Sequence, residues 1–303
     1  MRELIIIGAG PAGMTAAVYA ARKKIDTLML TGNIGGMASL SAGIENYMGY
    51  SLISGPELMS KFEEQVEEFG IPIEYKTAEK VERADSHFNV VLEDGEVIKA
   101  KCVIVASGRS PRRLNVPGEK EFLGRGVTYC ATCDAPLFVK MDVAVIGGGN
   151  AALGAVQQLI KIASKVYIVS IADWNADPIL QEKILKAENI EIYKGYEVTS
   201  IEGENYVEKI RIREIETREE IELPVRGVFI EIGSEPNSSL VKGLAKLNER
   251  GEILVDCSNR TSVEGLFAAG DVTSAPEKQI IVAAGEGAKA ALSAYDYLIR
   301  LPS

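Results

Sequence analysis

The chain has 303 residues, 47% of them hydrophobic, enough length and apolar content for two domains with substantial cores, which excludes a disordered polypeptide. With 43 acidic against 33 basic residues and a net charge of −10, it lacks the positive charge that general nucleic-acid binding needs to displace counterions. Four cysteines are too few for a secreted disulfide framework, and the apolar start at residues 4–7 is too short to span a bilayer and runs into a glycine motif instead of a cleavage site. A cytoplasmic protein with neither a membrane nor a nucleic-acid partner is expected.

Residues 4–7 (Leu-Ile-Ile-Ile) read as a buried strand, followed by Gly8-Ala9-Gly10-Pro11-Ala12-Gly13 and an alanine-rich helix through Ala21. This is the strand, turn and helix order of a dinucleotide-binding unit. Gly8 permits the tight turn, Gly10 lets backbone approach a pyrophosphate, and Gly13 lets the helix pack close on the strand with its N-terminus towards the phosphates. The second strand, residues 27–30, ends at Thr31-Gly32, where a common fingerprint places an acid for ribose hydroxyls. Asn33-Ile34-Gly35-Gly36-Met37 is too glycine-rich for a helix and suits the wrapping of a long cofactor. Ser54-Gly55-Pro56-Glu57 opens an amphipathic helix with Leu58, Phe62, Val66 and Phe69 on its apolar face and Gly70 at its end. Short alternating strands fill residues 73–92 around the only histidine, His87, which stands in a polar turn without a partner histidine and is read as structural.

Residues 101–105 form another buried strand, ending in Ala106-Ser107-Gly108, small enough to pass beneath a bound nucleotide; Cys102 within it is a core filler. Pro111 and Pro117-Gly118 flank a stretch without periodicity, which places a domain boundary near residues 112–116. Then comes Tyr129-Cys130-Ala131-Thr132-Cys133-Asp134. Two cysteines separated by two residues can close a small disulfide, and the adjacent acid can exchange a proton. Half of a zinc knuckle is the alternative, but Cys102 and Cys257 are isolated and supply no second ligand pair, so no metal is assigned. A second strand, turn and helix follows in residues 142–146, Gly147-Gly148-Gly149-Asn150-Ala151-Ala152 and a helix to about Ile162, matching GxGxxA, with the next strand at residues 166–169.

Residues 196–223 alternate as a β-meander whose glutamates make a solvated face. The run Val228-Phe229-Ile230-Glu231-Ile232-Gly233-Ser234-Glu235-Pro236-Asn237 closes the second domain. Gly265-Leu266-Phe267-Ala268-Ala269-Gly270-Asp271-Val272 puts one carboxylate at a strand tip, a position suited to a ribityl hydroxyl. Gln279 and Ile280 start the last helix, whose alanines and glycines permit close approach to a flat ring. The expected fold is α/β with two Rossmann-like domains of the FAD/NAD(P)-binding type, the first discontinuous (residues 1–113 and 245–303) and the second, bearing the CxxC, inserted at residues 114–244.

In this order GAGPAG, a Gly-Gly loop with Glu45-Asn46-Tyr47, CATCD, GGGNAA, IGSEPN, FAAGDV and Gln279 with AAGEGAKAA, the chain resembles the low-molecular-weight thioredoxin reductases over nearly its whole length. The resemblance implies FAD on the first domain, held by Gly8, Gly10, Pro11, Ala12, Gly13, Gly35, Gly36, Asn46, Ala106, Gly108, Gly270, Asp271, Gln279 and Ile280. It also implies a homodimer, and domains that rotate so that the dithiol meets flavin and thioredoxin in turn. Cys133 is then the flavin-facing sulfur, Cys130 the thiol that attacks the disulfide of thioredoxin or a thioredoxin-like protein, and Asp134 the proton donor and acceptor, with exchange proceeding through a mixed disulfide. The Thr-Gly at the second strand end also matches that family.

One departure concerns the electron donor. NADPH-dependent members carry His-Arg-Arg where this chain has Ser170-Ile171-Ala172, and two acids on the helix after the glycine motif where it has Gly154-Ala155. A 2′-phosphate loses its charge-assisted partners there. NADH keeps only Asp173 as a nearby acid. The chain thus resembles the ferredoxin-dependent flavin thioredoxin reductases that lack a working nicotinamide site, and reduced ferredoxin is the expected donor; a pyridine-nucleotide-dependent reductase and a non-catalytic flavoprotein are the alternatives. Lys99, Lys101, Arg109, Arg112, Arg113, Lys120 and Arg125, against Glu119 and Glu121, are expected to form a basic patch that steers an acidic ferredoxin.

Overall fold

The computed structural model describes residues 1–41 and 43–301. The chain divides into two compact units: Met1–Ser39, Tyr47–Ser110 and Glu235–Ser303 form the first, Leu40–Asn46 and Pro111–Ser234 the second.

In the first unit, six strands run in the order Ile73–Glu74, Thr27–Ile34, Arg2–Ala9, Val97–Val105, Phe88–Leu92, Ala78–Arg83, and Leu266–Ala268 also pairs with Val97–Val105. Arg2–Ala9 has parallel neighbours on both sides, with Ile5 opposite Leu28 and Val103. A strand in this position is covered on both faces, which is why residues 4–7 are uniformly apolar instead of alternating. Helices Pro11–Arg22 and Ile280–Leu298 pack through their smallest residues: a Cβ on Gly287 would lie 2.0 Å from the Ala12 carbonyl oxygen. Helix Gly55–Glu68 starts where expected, capped by Ser54 Oγ accepting from Glu57 N–H, but Phe69 is exposed while Leu58 and Val66 are buried. Phe69 is the residue that ends the helix, so it has turned off the apolar face that the 3.6-residue period assigns to it. The glycine-rich stretch expected to lack helix contains a short 3-10 turn, Gly36–Leu40, entered through two left-handed glycines, Gly35 and Gly36.

The second unit carries a five-stranded parallel sheet, Ile190–Lys194, Lys165–Ser170, Asp142–Ile146, Gly227–Ile230, Val127–Thr128. Tyr196–Gly203, Val207–Glu214 and Glu220–Pro224 make the antiparallel meander, and its glutamates sit among ion pairs such as Arg213–Glu197 (2.6 Å) and Lys209–Glu222 (2.9 Å).

The unit limits differ from the expected 113/114 and 244/245. Arg109–Pro111 pairs with Ser234–Pro236 where the chain passes between units, and Leu240, Val241 and Ala245 pack in the core of the first unit, so the return comes at Glu235. Among the described residues no helix is long and apolar enough to cross a membrane, and no group of three or more His, Cys, Asp or Glu could hold a metal ion.

Candidate active site and cofactor cradle

The dithiol turn lies within the second unit. Val127–Thr128 ends at the sheet edge, the backbone stays extended through Cys130, and Ala131–Asp134 makes one helical turn that brings the cysteines together. Cys130 and Cys133 are joined by a disulfide, with Cα atoms 5.3 Å apart, and both are half-buried. The Cys133 N–H donates to Cys130 Sγ at 3.2 Å. That donor favours negative charge on Cys130 once the bond opens.

Asp134 is 4% exposed. Ser41 Oγ donates to its Oδ1 at 2.7 Å and Thr128 Oγ1 donates to its Oδ2, while Thr128 Oγ1 accepts the Cys130 N–H at 3.1 Å. Burial drives the Asp134 carboxyl above its ordinary value, and the two hydroxyls pull it part of the way back. On the sulfur side, Glu231 Oε1 accepts the Ala131 N–H at 3.2 Å. Ahead of the turn, Tyr129 donates to Glu119 Oε1 at 2.8 Å, and Glu119, 4% exposed, is also held by the Leu114 and Asn115 amides.

The glycine motif of the first unit has the form of a cradle. Any side chain on Gly8 would place Cβ 2.3 Å from the Ala106 oxygen, and one on Gly13 would place it 1.8 Å from the Gly8 oxygen. Gly10 instead faces open space, with only the Gly35 oxygen at 3.9 Å, and Gly36 approaches the Gly10 Cα. Gly10 caps helix Pro11–Arg22 without a side-chain hydrogen bond, Pro11 occupies the first turn, and no acidic residue stands in that turn. Gly270 has φ +79° and its Cβ would meet Ala12 at 2.9 Å. Glu286 fixes that turn by accepting from Gly270 N–H (2.7 Å) and Thr273 Oγ1 (3.1 Å). The next residue, Asp271, accepts no hydrogen bond from the described residues, and burial, opposed by Lys278 and Arg109, raises its carboxyl above the ordinary value. Gln279 caps helix Ile280–Leu298, whose first residue is Ile280. Gly108, φ +65°, accepts the Asn237 N–H at 3.0 Å.

Gly8, Gly10, Ala12, Gly13, Gly35, Gly36, Ala106 and Gly270 are thereby brought together. Asn46 belongs to Leu40–Asn46, a segment grouped with the second unit, in which Ser41 is bound to Asp134.

The second glycine turn differs. A Cβ on Gly148 would lie 3.1 Å from Trp174 Cδ1, and one on Gly149 would lie 3.3 Å from Asn175 Oδ1. Asn175 N–H donates to the Gly148 oxygen at 3.0 Å and Asp177 N–H to Asn150 Oδ1 at 2.8 Å. The indole is 7% exposed, packed in the core of this unit, with Lys194 4.9 Å from its ring centroid. Lys194 also pairs with Asp173 at 3.1 Å. Ile171 is exposed, and Ser170 Oγ is spent on the Ala172 oxygen.

The seven basic residues expected to make one patch are divided between the units, Lys99, Lys101 and Arg109 in the first and Arg112, Arg113, Lys120 and Arg125 in the second. Lys101 pairs with Glu3 (3.5 Å) and Arg109 with Glu252 (2.6 Å), both ends of the latter pair largely buried. Two of the seven are thus already engaged by carboxylates of their own unit. Sequence reading also missed Ser41, Thr128, Glu231, Trp174 and Glu286. A glutamate inside the apolar run at 228–232 was a usable signal for Glu231, and the only tryptophan standing beside Ser170-Ile171-Ala172 was one for Trp174. Nothing local marks Ser41, which reaches a residue 93 positions away.

The sequence profile of the pyridine nucleotide-disulphide oxidoreductases matches residues 2–287. The chain is 41% identical over 300 residues to the F component of alkyl hydroperoxide reductase from Staphylococcus aureus and 41% identical over 300 residues to an NADH dehydrogenase of Bacillus subtilis. It aligns over 98% of its own length but spans only 59% of either relative. Its fold superposes on thioredoxin reductase from Streptococcus pyogenes with a TM-score of 0.94 at 38% identity, covering 99% of both chains. The chain belongs to the pyridine nucleotide-disulphide oxidoreductase family, in which the thioredoxin reductases are FAD-binding flavoproteins, and FAD is the cofactor that this membership assigns to it.

Proposed function

We propose that this family member is a flavin-dependent disulfide reductase that passes electrons through Cys130–Cys133 to the disulfide of thioredoxin or a thioredoxin-like protein. The observation that carries the reading is the half-buried disulfide beside a buried carboxyl held by two hydroxyls. An inert structural bridge has no use for an acid kept poised in this way. FAD, when bound, supplies a carrier that accepts electrons singly and passes them on in pairs. Gly10 and the uncapped amides after it suit its pyrophosphate, the close contacts at Gly8, Gly13 and Gly270 fix the backbone around it, and Asp271 offers its carboxylate to a sugar-chain hydroxyl.

The chain's own residues then run the exchange. With the disulfide opened, the Cys130 thiolate, favoured by the Cys133 N–H, attacks one sulfur of the partner disulfide and displaces the other as a thiolate. Cys133, giving up its proton, attacks Cys130 Sγ, re-forms the internal disulfide and releases the second partner thiolate. Asp134 takes and returns protons as these charges appear. A homodimer and residence in a reducing cytoplasm belong to the same reading.

Reduced ferredoxin is the donor we favour. Trp174 and Asn175 sit on the turn that a nicotinamide cofactor's pyrophosphate needs open, and no arginine stands at residues 170–172 for a 2′-phosphate. The name of the Bacillus subtilis relative, an NADH dehydrogenase, favours a second reading, an NADH-dependent reductase, in which Asp173 leaves Lys194 for the ribose. An anaerobic absorbance titration separates them. Bleaching of the flavin by reduced ferredoxin, with no bleaching by stoichiometric NADPH or NADH, is expected; rapid bleaching by either nucleotide overturns the ferredoxin assignment.

A further inference from the structure

Asp134 is one of two carboxyl groups at the dithiol turn. The other, Glu231, is the first residue beyond the parallel strand Gly227–Ile230, and it interrupts an otherwise apolar run. Its Oε1 accepts the N–H of Ala131, the peptide nitrogen bonded to the carbonyl carbon of Cys130, at 3.2 Å. Its own N–H is spent on the Ile146 oxygen, which pins the residue to the sheet beneath the turn, and its carbonyl oxygen closes on Gly147, where any Cβ would approach to 2.5 Å. Backbone on two sides therefore fixes the position from which the carboxyl reaches the turn.

We propose that Glu231 is a positioning residue for the dithiol, a second proton-holding carboxyl whose charge, delivered at the Ala131 amide, sets how readily Cys130 becomes a thiolate. The proposal rests on the reading of Cys130–Cys133 as the reactive pair. The titratable groups around Glu231 are few. The turn offers Cys130, Cys133 and Asp134; the edge strand offers Tyr129, whose hydroxyl is turned to Glu119; the Gly147 turn offers none. Two residues on, Arg112 packs against Gly233, to whose oxygen its N–H donates at 2.9 Å. Burial pushes the Glu231 carboxyl up to about 7, with the Ala131 N–H opposing. Its charge thus changes inside the range in which a thiol of this type ionises. Opening the disulfide consumes two electrons, supplied by the flavin, and one proton if Cys130 remains a thiolate or two if it does not. A negative Glu231 favours the second outcome, and a neutral one the first.

The test uses the FAD-loaded protein in a Cys257→Ser background, which removes the exposed thiol while Cys102 stays buried. The disulfide is opened with excess dithiothreitol, the reagent is removed anaerobically, and the rate of iodoacetamide alkylation of Cys130 is followed from pH 5 to 10 by peptide mass spectrometry. Neither electron donor nor partner protein is needed. The expected profile has two steps, the lower near neutral pH. In Glu231→Gln, which keeps an acceptor for the Ala131 N–H, the lower step disappears and the rate at pH 7.5 rises at least threefold; Glu231→Asp restores two steps. A one-step profile in the protein carrying Glu231 overturns the proposal whether or not the glutamine variant folds, and so does a glutamine variant whose profile superposes on that protein's. Failure of the reactive-pair reading looks different: Cys130 then takes no label at any pH after dithiothreitol treatment.

Discussion

Thr128→Val removes one hydroxyl and little volume from a residue that is 6% exposed. Two hydrogen bonds disappear with it, the one donated to Asp134 Oδ2 and the one accepted from Cys130 N–H. A hydrogen bond to a charged group contributes about 1.5–3 kcal/mol, and each 1.4 kcal/mol is tenfold in an equilibrium, so the ionised share of Asp134 falls roughly ten- to hundredfold wherever it is the minor form. Asp134 already has its carboxyl raised by burial, and the substitution raises it further. Sign follows: a carboxyl raised in the folded protein contributes stability below its unfolded value and loses it as pH rises through the folded one, and the variant displaces that loss to higher pH. In steady-state reduction of a thioredoxin disulfide, the limb on which the rate falls as Asp134 gives up its proton should move upward in pH, while Asp134→Asn should have no such limb. The stranded Cys130 amide costs about 1–3 kcal/mol of stability, visible as a lower Tm. Thr128→Ser should restore both. A Thr128→Val profile superposed on the unmodified one, with the Tm lowered as stated, would refute the assignment of that limb to Asp134.

Gly287→Ala sets a helix-propensity gain of up to about 1 kcal/mol against a Cβ placed 2.0 Å from the Ala12 oxygen. Backbone cannot give way as a side chain does, so the steric term should win by about 1–3 kcal/mol, read as a lower Tm and loss of FAD on gel filtration. Cys133→Ser should accumulate a stable mixed disulfide between Cys130 and a thioredoxin-like protein on non-reducing gels, whereas Cys130→Ser should form none; trapping by the Cys130→Ser variant alone would reverse the two roles. Asp271→Ala should weaken FAD retention at least tenfold in a dilution and fluorescence assay, and an unchanged FAD affinity would remove Asp271 from the cradle.

The first glycine turn was legible because part of its constraint is local. Gly8, Gly10 and Gly13 answer to one turn, and the contact that forbids a side chain at Gly13 is with the Gly8 carbonyl of that same turn. The disulfide was legible for the same reason, since four consecutive residues suffice to close it. What stayed hidden depends on chain brought from far away. Ser41 gives no sign that it will reach Asp134, and Leu40–Asn46, Asn46 included, is grouped with the second unit. The basic residues from Lys99 to Arg125 are close in sequence, but the boundary after Ser110 divides them, and Glu3 and Glu252 from distant segments pair with Lys101 and Arg109. At the second motif, Gly147, Gly149 and Ala152 fit the fingerprint, while Trp174, which stands close to Gly148, comes from a position that the fingerprint does not include.

The central claim is that electrons leave the flavin through Cys130 and Cys133. The FAD-loaded protein is reduced photochemically under anaerobic conditions, so that no physiological donor is needed, and mixed in a stopped-flow instrument with an oxidised thioredoxin while flavin absorbance is followed. Flavin colour should return in the unmodified protein and fail to return in Cys130→Ser. Equal return of colour in both proteins, or in neither, would contradict the claim.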